Sequence, residues 1–217
     1  MLAVARIELV ARRALDCRVS ARTALGWYGE ARAFCEALAG AYGFPLRSVV
    51  GAVAALSPMQ EWRTQLKFTP TILDDFRDAI ADAGFVLGAD DPADVVLDDF
   101  AARIVGPGFL GNKRKAARIL LGADPLAVLG GQKVRAFYRC ILGDSGAVCV
   151  DRHAWSIADG GAVGALTEKR YRTTVAAFVG AAANLRAAFP ALASELTPAG
   201  VQALTWVWWR DNPGERF

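Results

Sequence analysis

Apolar residues recur at intervals of three and four along almost the whole chain, the spacing of one helix face. Trp27, Ala31, Phe34, Leu38 and Tyr42 form such a stripe over residues 27–42, and Gly43 closes it. A first helix is expected over residues 4–15. Pro45 occupies a first-turn position and opens a helix over 46–56, which is apolar nearly all round and so reads as central and buried. A helix follows over 61–82, with Pro70 as a kink or break. Asp91 and Pro92 start another, to about residue 105, and Gly106-Pro107-Gly108 is a turn. Asn112 is the expected cap of a basic helix running to Leu121. A short helix from Asp124-Pro125 ends at Gly130-Gly131, and a further one covers 132–142. After the loop at 143–146 an extended stretch, 147–150, leads into a helical turn over 152–158. Thr167 starts a long helix to about residue 188, and Thr197-Pro198 starts the last. No run alternates as a half-buried strand would, so the expected class is all-α.

Composition fits that class. The chain has 217 residues, 54% of them apolar, enough for one domain with a substantial core or two small helical lobes beside a cleft. Much of the apolar content is alanine, a strong helix former. The formal charge of +3 does not demand a nucleic-acid partner. Its distribution says more: Lys113, Arg114, Lys115 and Arg118 cluster, while acidic residues gather between Asp74 and Asp99. A local basic segment can hold a phosphate backbone, and it also reads as a solvated helix face. Cys17, Cys35, Cys140 and Cys149 form no closely spaced pair, which argues against zinc or an iron–sulfur cluster. They are expected to be reduced and mostly buried, in a cytoplasmic protein without cofactor. No uninterrupted apolar run approaches ~18 residues, so no membrane span is expected.

Two segments carry candidate chemistry. In residues 124–142 a short helix meets Gly130-Gly131 and then a second helix; the N–H groups opening that second helix form an anion site of the kind phosphate uses. Lys133 lies on its first turn, where the helix dipole disfavours the charged ammonium and favours a nucleophilic amine. In residues 148–157 an apolar run delivers Asp151 to a helix start, with His153, the only histidine, two residues on. Asp151 is equally an ordinary N-cap, and Lys133 equally a phosphate contact. The tryptophans are foremost core residues. Trp206 and Trp209 share a helix face and are expected to pack inward while Trp208 points elsewhere; an exposed Trp208 would suggest a DNA or partner contact.

The segment from Leu129 to Ala158 resembles the hairpin, lysine and V-D-x-H segments of the helix-hairpin-helix DNA glycosylases of the endonuclease III type. Asp151 follows Lys133 by eighteen positions, as in the bifunctional members. Upstream, residues 106–120 are similar to the family's glycine-aromatic-Lys-Ala segment, with Lys115-Ala116 on the Lys-Ala pair. Residues 53–62 resemble the segment that supplies a side chain wedged into the duplex, here Met59 or Gln60. The resemblance covers residues 46–158 in order. The hairpin reads L-G-G-Q, one residue shorter than usual, the C-terminal four-cysteine cluster is absent, and Arg152 replaces a small residue. The end of the chain, LTWVWWR, resembles that of small phage proteins.

The resemblance implies a helix-hairpin-helix glycosylase-like fold. One lobe would cover about 44–145, with the hairpin at 124–142, and a second would combine 1–43 with 146–217. It implies a monomeric enzyme acting on double-stranded DNA that contains a damaged or modified base. Asp151 and Lys133 would be catalytic. Gly130, Gly131, Gln132, Lys113, Arg114, Lys115, Met59, Gln60, Arg152 and His153 would contact DNA. Alternatives are a non-catalytic DNA-binding module, a phage enzyme of modified-base synthesis, and a helical protein-interaction module.

Overall fold

The computed structural model describes residues 1–83, 94–103, 108–161 and 164–213, with the side chains of 18–20, 83 and 94–98 left out of the description. The described residues are all-α, with no strand. The helices are α1 (Leu2–Asp16), α2 (Arg18–Leu25), α3 (Trp27–Tyr42), α4 (Leu46–Leu56), α5 (Trp62–Ala83) and α6 (Asp94–Arg103). They continue as α7 (Leu110–Leu120), α8 (Pro125–Val128), α9 (Gln132–Ile141), α10 (Arg152–Asp159), α11 (Glu168–Ala188) and α12 (Pro198–Asp211). A 3-10 turn lies at Pro190–Leu192. The expected start of the sixth helix at Asp91-Pro92 and most of the turn at 106–108 lie outside the described residues. No single described helix is long and apolar enough to cross a membrane.

The chain divides into two units. One joins residues 1–31 to 139–217 and the other is 32–138, so the divisions fall within α3 and α9. In the second unit α4 is buried on every side from Ser48 to Leu56 and packs most extensively on α7. The pair is antiparallel, because Gly51 meets Ile119 while Gly108 meets Leu56. Gly51 permits that approach. A Cβ there would stand 2.8 Å from Ile119 Cγ2 and 3.0 Å from Pro125 Cβ, closer than packed carbon atoms allow.

In the first unit α1 packs on α10, α11 and α12, and α2 on α12. Ile7, Val10, Trp155, Phe178, Leu185 and Leu204 are buried at its core. Helix α10 is closed at both ends. Asp151 caps its start, Gly160 takes the left-handed conformation after its end (φ 78°), and the Arg6 guanidinium donates to the Asp159 carbonyl at 2.6 Å.

Three local expectations are corrected. Asn112 is not a cap: α7 begins at Leu110, and the Asn112 N–H already donates to the Phe109 carbonyl at 2.9 Å. Burial of Ala116, Ala117, Ile119 and Leu120, rather than a polar cap, sets the helix in place. Pro70 does not break α5, which runs on through it; of the expected kink or break, only the break is overturned. Trp208 does not point outward: it is buried along with Trp209, and Trp206 is the half-buried member. The rule of a single inward face fails because α12 is packed by α1, α2, α10 and α11. A helix at 18–25 was not foreseen, since its described buried residues, Ala21 and Ala24, leave a faint apolar stripe.

Candidate active site

The buried run Ala147 to Val150 is neither helix nor strand. It is pinned through its carbonyls instead. The Tyr171 hydroxyl donates to Val148 O at 3.0 Å, and the Cys140 thiol lies 3.5 Å from Ala147 O. This run presents Asp151 in extended conformation as the N-cap of α10. Its Oδ1 accepts the Ala154 N–H at 2.8 Å, satisfying one of the orphan donors of the first turn. Its Oδ2 accepts the indole N–H of Trp206, also at 2.8 Å.

Trp206 sits within an aromatic and cationic group. The Trp27 ring lies 6.2 Å away and tilted, the His153 ring 6.3 Å away and edge-on, and the Arg210 guanidinium 4.7 Å from the ring centroid. Arg210 also donates to the adjacent Asp211 carboxylate at 2.9 Å. One turn before Trp206 on α12, the buried Gln202 accepts the Tyr28 hydroxyl at 2.6 Å. Burial pushes the Tyr28 phenol well above its ordinary range, helped by the nearby Cys140 and Cys149 thiols and the Asp151 charge. Burial likewise pushes the Cys140 thiol up to about 12. Tyr28, which feels the carboxylate, and the Cys140 thiol beside Tyr28 are therefore both neutral at physiological pH. Among the sequence-predicted residues, Asp151 and His153 come together here, half-buried, whereas Arg152 is exposed. Trp206, Trp27, Tyr28, Gln202 and Arg210 were not singled out as its neighbours, because their nearness is tertiary and leaves no local spacing.

The second unit holds the other predicted residues. Leu129 is fully buried, and its carbonyl accepts the Arg135 Nε–H at 2.7 Å, which clasps the turn onto the start of α9. Gly131 needs its glycine, with φ 75°. Gly130, Gly131, Gln132 and Lys133 are all exposed. The Lys115 ammonium lies 3.4 Å from where a Gly130 Cβ would be, so a cation flanks the hairpin beside the N–H groups opening α9. Lys113 and Lys115 are half-buried and Arg114 is exposed on the same helix.

Between α4 and α5 the chain turns through Ser57-Pro58-Met59-Gln60, closed by the Gln60 N–H on the Ser57 carbonyl at 3.1 Å. Proline followed by a positive φ is a type II pattern, in which glycine is the usual third residue. Met59 occupies that place with φ 64°, the only non-glycine residue so placed among those described, and its side chain is 86% exposed. Gln60 is half-buried, so Met59 is the projecting member of the pair. Phe109 and Leu110, 63% and 50% exposed, stand at the same end of the α4–α7 pair; the sequence reading missed them.

A cavity of about 680 Å³ opens on a different face of α12, lined by Arg13, Cys17, Trp208, Asp211 and Asn212 among others. Of the residues named from the sequence it is lined by Cys17 and Trp208, and by none of those drawn from the family resemblance. The polar, hydrogen-bonded surroundings of Asp151 are better suited to chemistry than this cavity. No curated protein and no solved structure matches the chain significantly. A family model does match, over residues 18–213, which include every residue described above around Asp151 and in the second unit. The chain belongs to the family of unknown function DUF7178.

Proposed function

We propose that this protein is a DNA glycosylase, which takes a damaged or modified base out of the duplex and cleaves the bond joining it to deoxyribose. The observation that carries the reading is the Asp151 carboxylate, held at a helix start by two donors within an aromatic group. A base in the stack hides the reacting carbon, so such an enzyme must extrude it. A fixed carboxylate then stabilises the positive charge that grows on the sugar as the base leaves, and orients water for attack. The face of Trp27 suits stacking on an extruded base. The wedge role falls to Met59: an apolar, exposed side chain on a strained backbone fits insertion into a gap in the stack, and strain of this kind gathers at functional positions. Gly130, Gly131 and Gln132, with Lys115 beside them, suit a phosphate contact, and Lys113 and Arg114 add attraction without sequence preference.

Strand cleavage extends the reading. Lys133 would supply the amine that attacks the sugar carbon and forms a Schiff base. Borohydride reduction on an abasic duplex then traps a covalent complex that Lys133→Gln loses. Absence of trapping leaves an enzyme that only removes the base.

The direct test incubates the protein with duplexes carrying uracil, oxidised pyrimidines, alkylated purines or modified phage bases. Abasic product whose release Asp151→Asn slows by at least about a hundredfold is the expected result. A folded protein that yields none from any duplex overturns the reading. The hairpin is complete without any chemistry, which favours a non-catalytic DNA-binding module as the second reading; it predicts duplex binding that survives Asp151→Asn and no base release. In either case Lys115→Gln should reduce the slope of log affinity against log salt by about 1, the mark of one lost phosphate contact.

A further inference from the structure

We infer that Trp206 is a positioning residue for Asp151, fixing the plane of its carboxylate through the indole N–H; the inference rests on the glycosylase reading of Asp151. An N-cap is complete with one acceptor. Thr167 and Thr197 cap α11 and α12 each with a single oxygen on one backbone N–H. Asp151 uses its Oδ1 in that way, and the second bond, from Trp206 to Oδ2, is superfluous to capping. It has a geometric consequence. A carboxylate held at one oxygen can still turn about that contact, whereas one held at both has a set plane and keeps lone pairs in fixed directions for a substrate or water.

The donor suits the task. An indole N–H donates and never accepts, so the bond exists only while Asp151 offers an acceptor oxygen. The indole is itself held. Arg210 lies 4.7 Å from its ring centroid, where a cation draws electron density from the ring and strengthens the N–H as a donor. Gln202, Trp206 and Arg210 recur every four residues along one stripe of α12. Gln202, bonded to Tyr28, ties that stripe to the phenol whose electrostatic neighbours include Asp151. One helix stripe thus organises the surroundings of the carboxylate, a supporting arrangement of the kind on which precise reacting geometry depends.

The test uses the full chain and a duplex that the wild type cuts. Trp206→Phe keeps an aromatic ring and removes the donor. Single-turnover base release should slow by about 100-fold, the cost of misplacing a reacting group. Affinity for the same duplex, read by fluorescence anisotropy, should change by no more than about twofold, because the interaction lost acts in the transition state. Adding Trp206→Phe to Asp151→Asn should slow release no further, and Trp206→His, which keeps a ring N–H, should recover part of the rate. Base release by Trp206→Phe at the wild-type rate overturns the inference.

A second readout needs no substrate. Asparagine offers one acceptor oxygen for two N–H donors, so Asp151→Asn should move the Trp206 indole signal in a proton–nitrogen correlation spectrum. An unmoved signal overturns the contact, and this readout decides the matter even where Trp206→Phe fails to fold. Failure of the wild type to cut any duplex removes the glycosylase reading and the catalytic half of the assignment, and is read separately from the indole signal.

Discussion

Asp151 caps α10, and on the proposed reading its charge also serves base release; substitutions separate the two roles. Asparagine keeps an oxygen for the Ala154 N–H, so Asp151→Asn should preserve the cap while removing the charge. Asp151→Ala removes both and should lower stability by about 1 kcal/mol, the usual worth of an N-cap, measured by denaturant unfolding. Met59 is the reverse case, a residue whose local conformation works against the fold. Left-handed backbone costs an L-residue roughly 1–2 kcal/mol, part of which the extra freedom of an unfolded glycine offsets. Met59→Gly should therefore leave stability unchanged or raise it by up to about 1 kcal/mol, while base release falls. A stabilised variant with undiminished activity would argue against the wedge.

At the scale of elements, the α4–α7–α8 contact carries the hairpin, and Gly51 is its tightest point. Gly51→Ala forces a methyl group against Ile119 and Pro125 and should cost about 1–3 kcal/mol in denaturant unfolding, as overpacked cores do. The helices themselves were legible where the signal is local. The stripe from Trp27 to Tyr42, the apolar run of α4, and the starts at Asp151, Thr167 and Thr197 all lie where spacing and capping chemistry place them. The misses share a cause: in α7, α2 and α12, packing partners distant in sequence override the local pattern. The nearness of Trp206 to Asp151, 55 positions away, is of the same kind.

At the scale of the whole molecule, both units bury thiols away from water. Burial, with the Glu36 charge adding to it, pushes Cys35 up to about 12, and burial raises Cys140 to the same value. Each thiol thus holds its proton to higher pH in the folded chain than in the unfolded one. The stability this contributes is complete below the ordinary thiol value of 9.0 and is lost as pH rises from there to about 12. The thermal midpoint should accordingly fall across that alkaline window, and Cys35→Ala should flatten the fall; a midpoint independent of pH there would contradict the burial of these groups.

Base excision is the claim on which the rest depends. Its most direct measurement is single-turnover release of free base from the lesion-bearing duplexes by wild type and Asp151→Asn, both shown to be folded. The wild type should release base, and the variant should lose at least about a hundredfold, the scale of one lost transition-state contact. Equal rates, or no release by either protein, would contradict it.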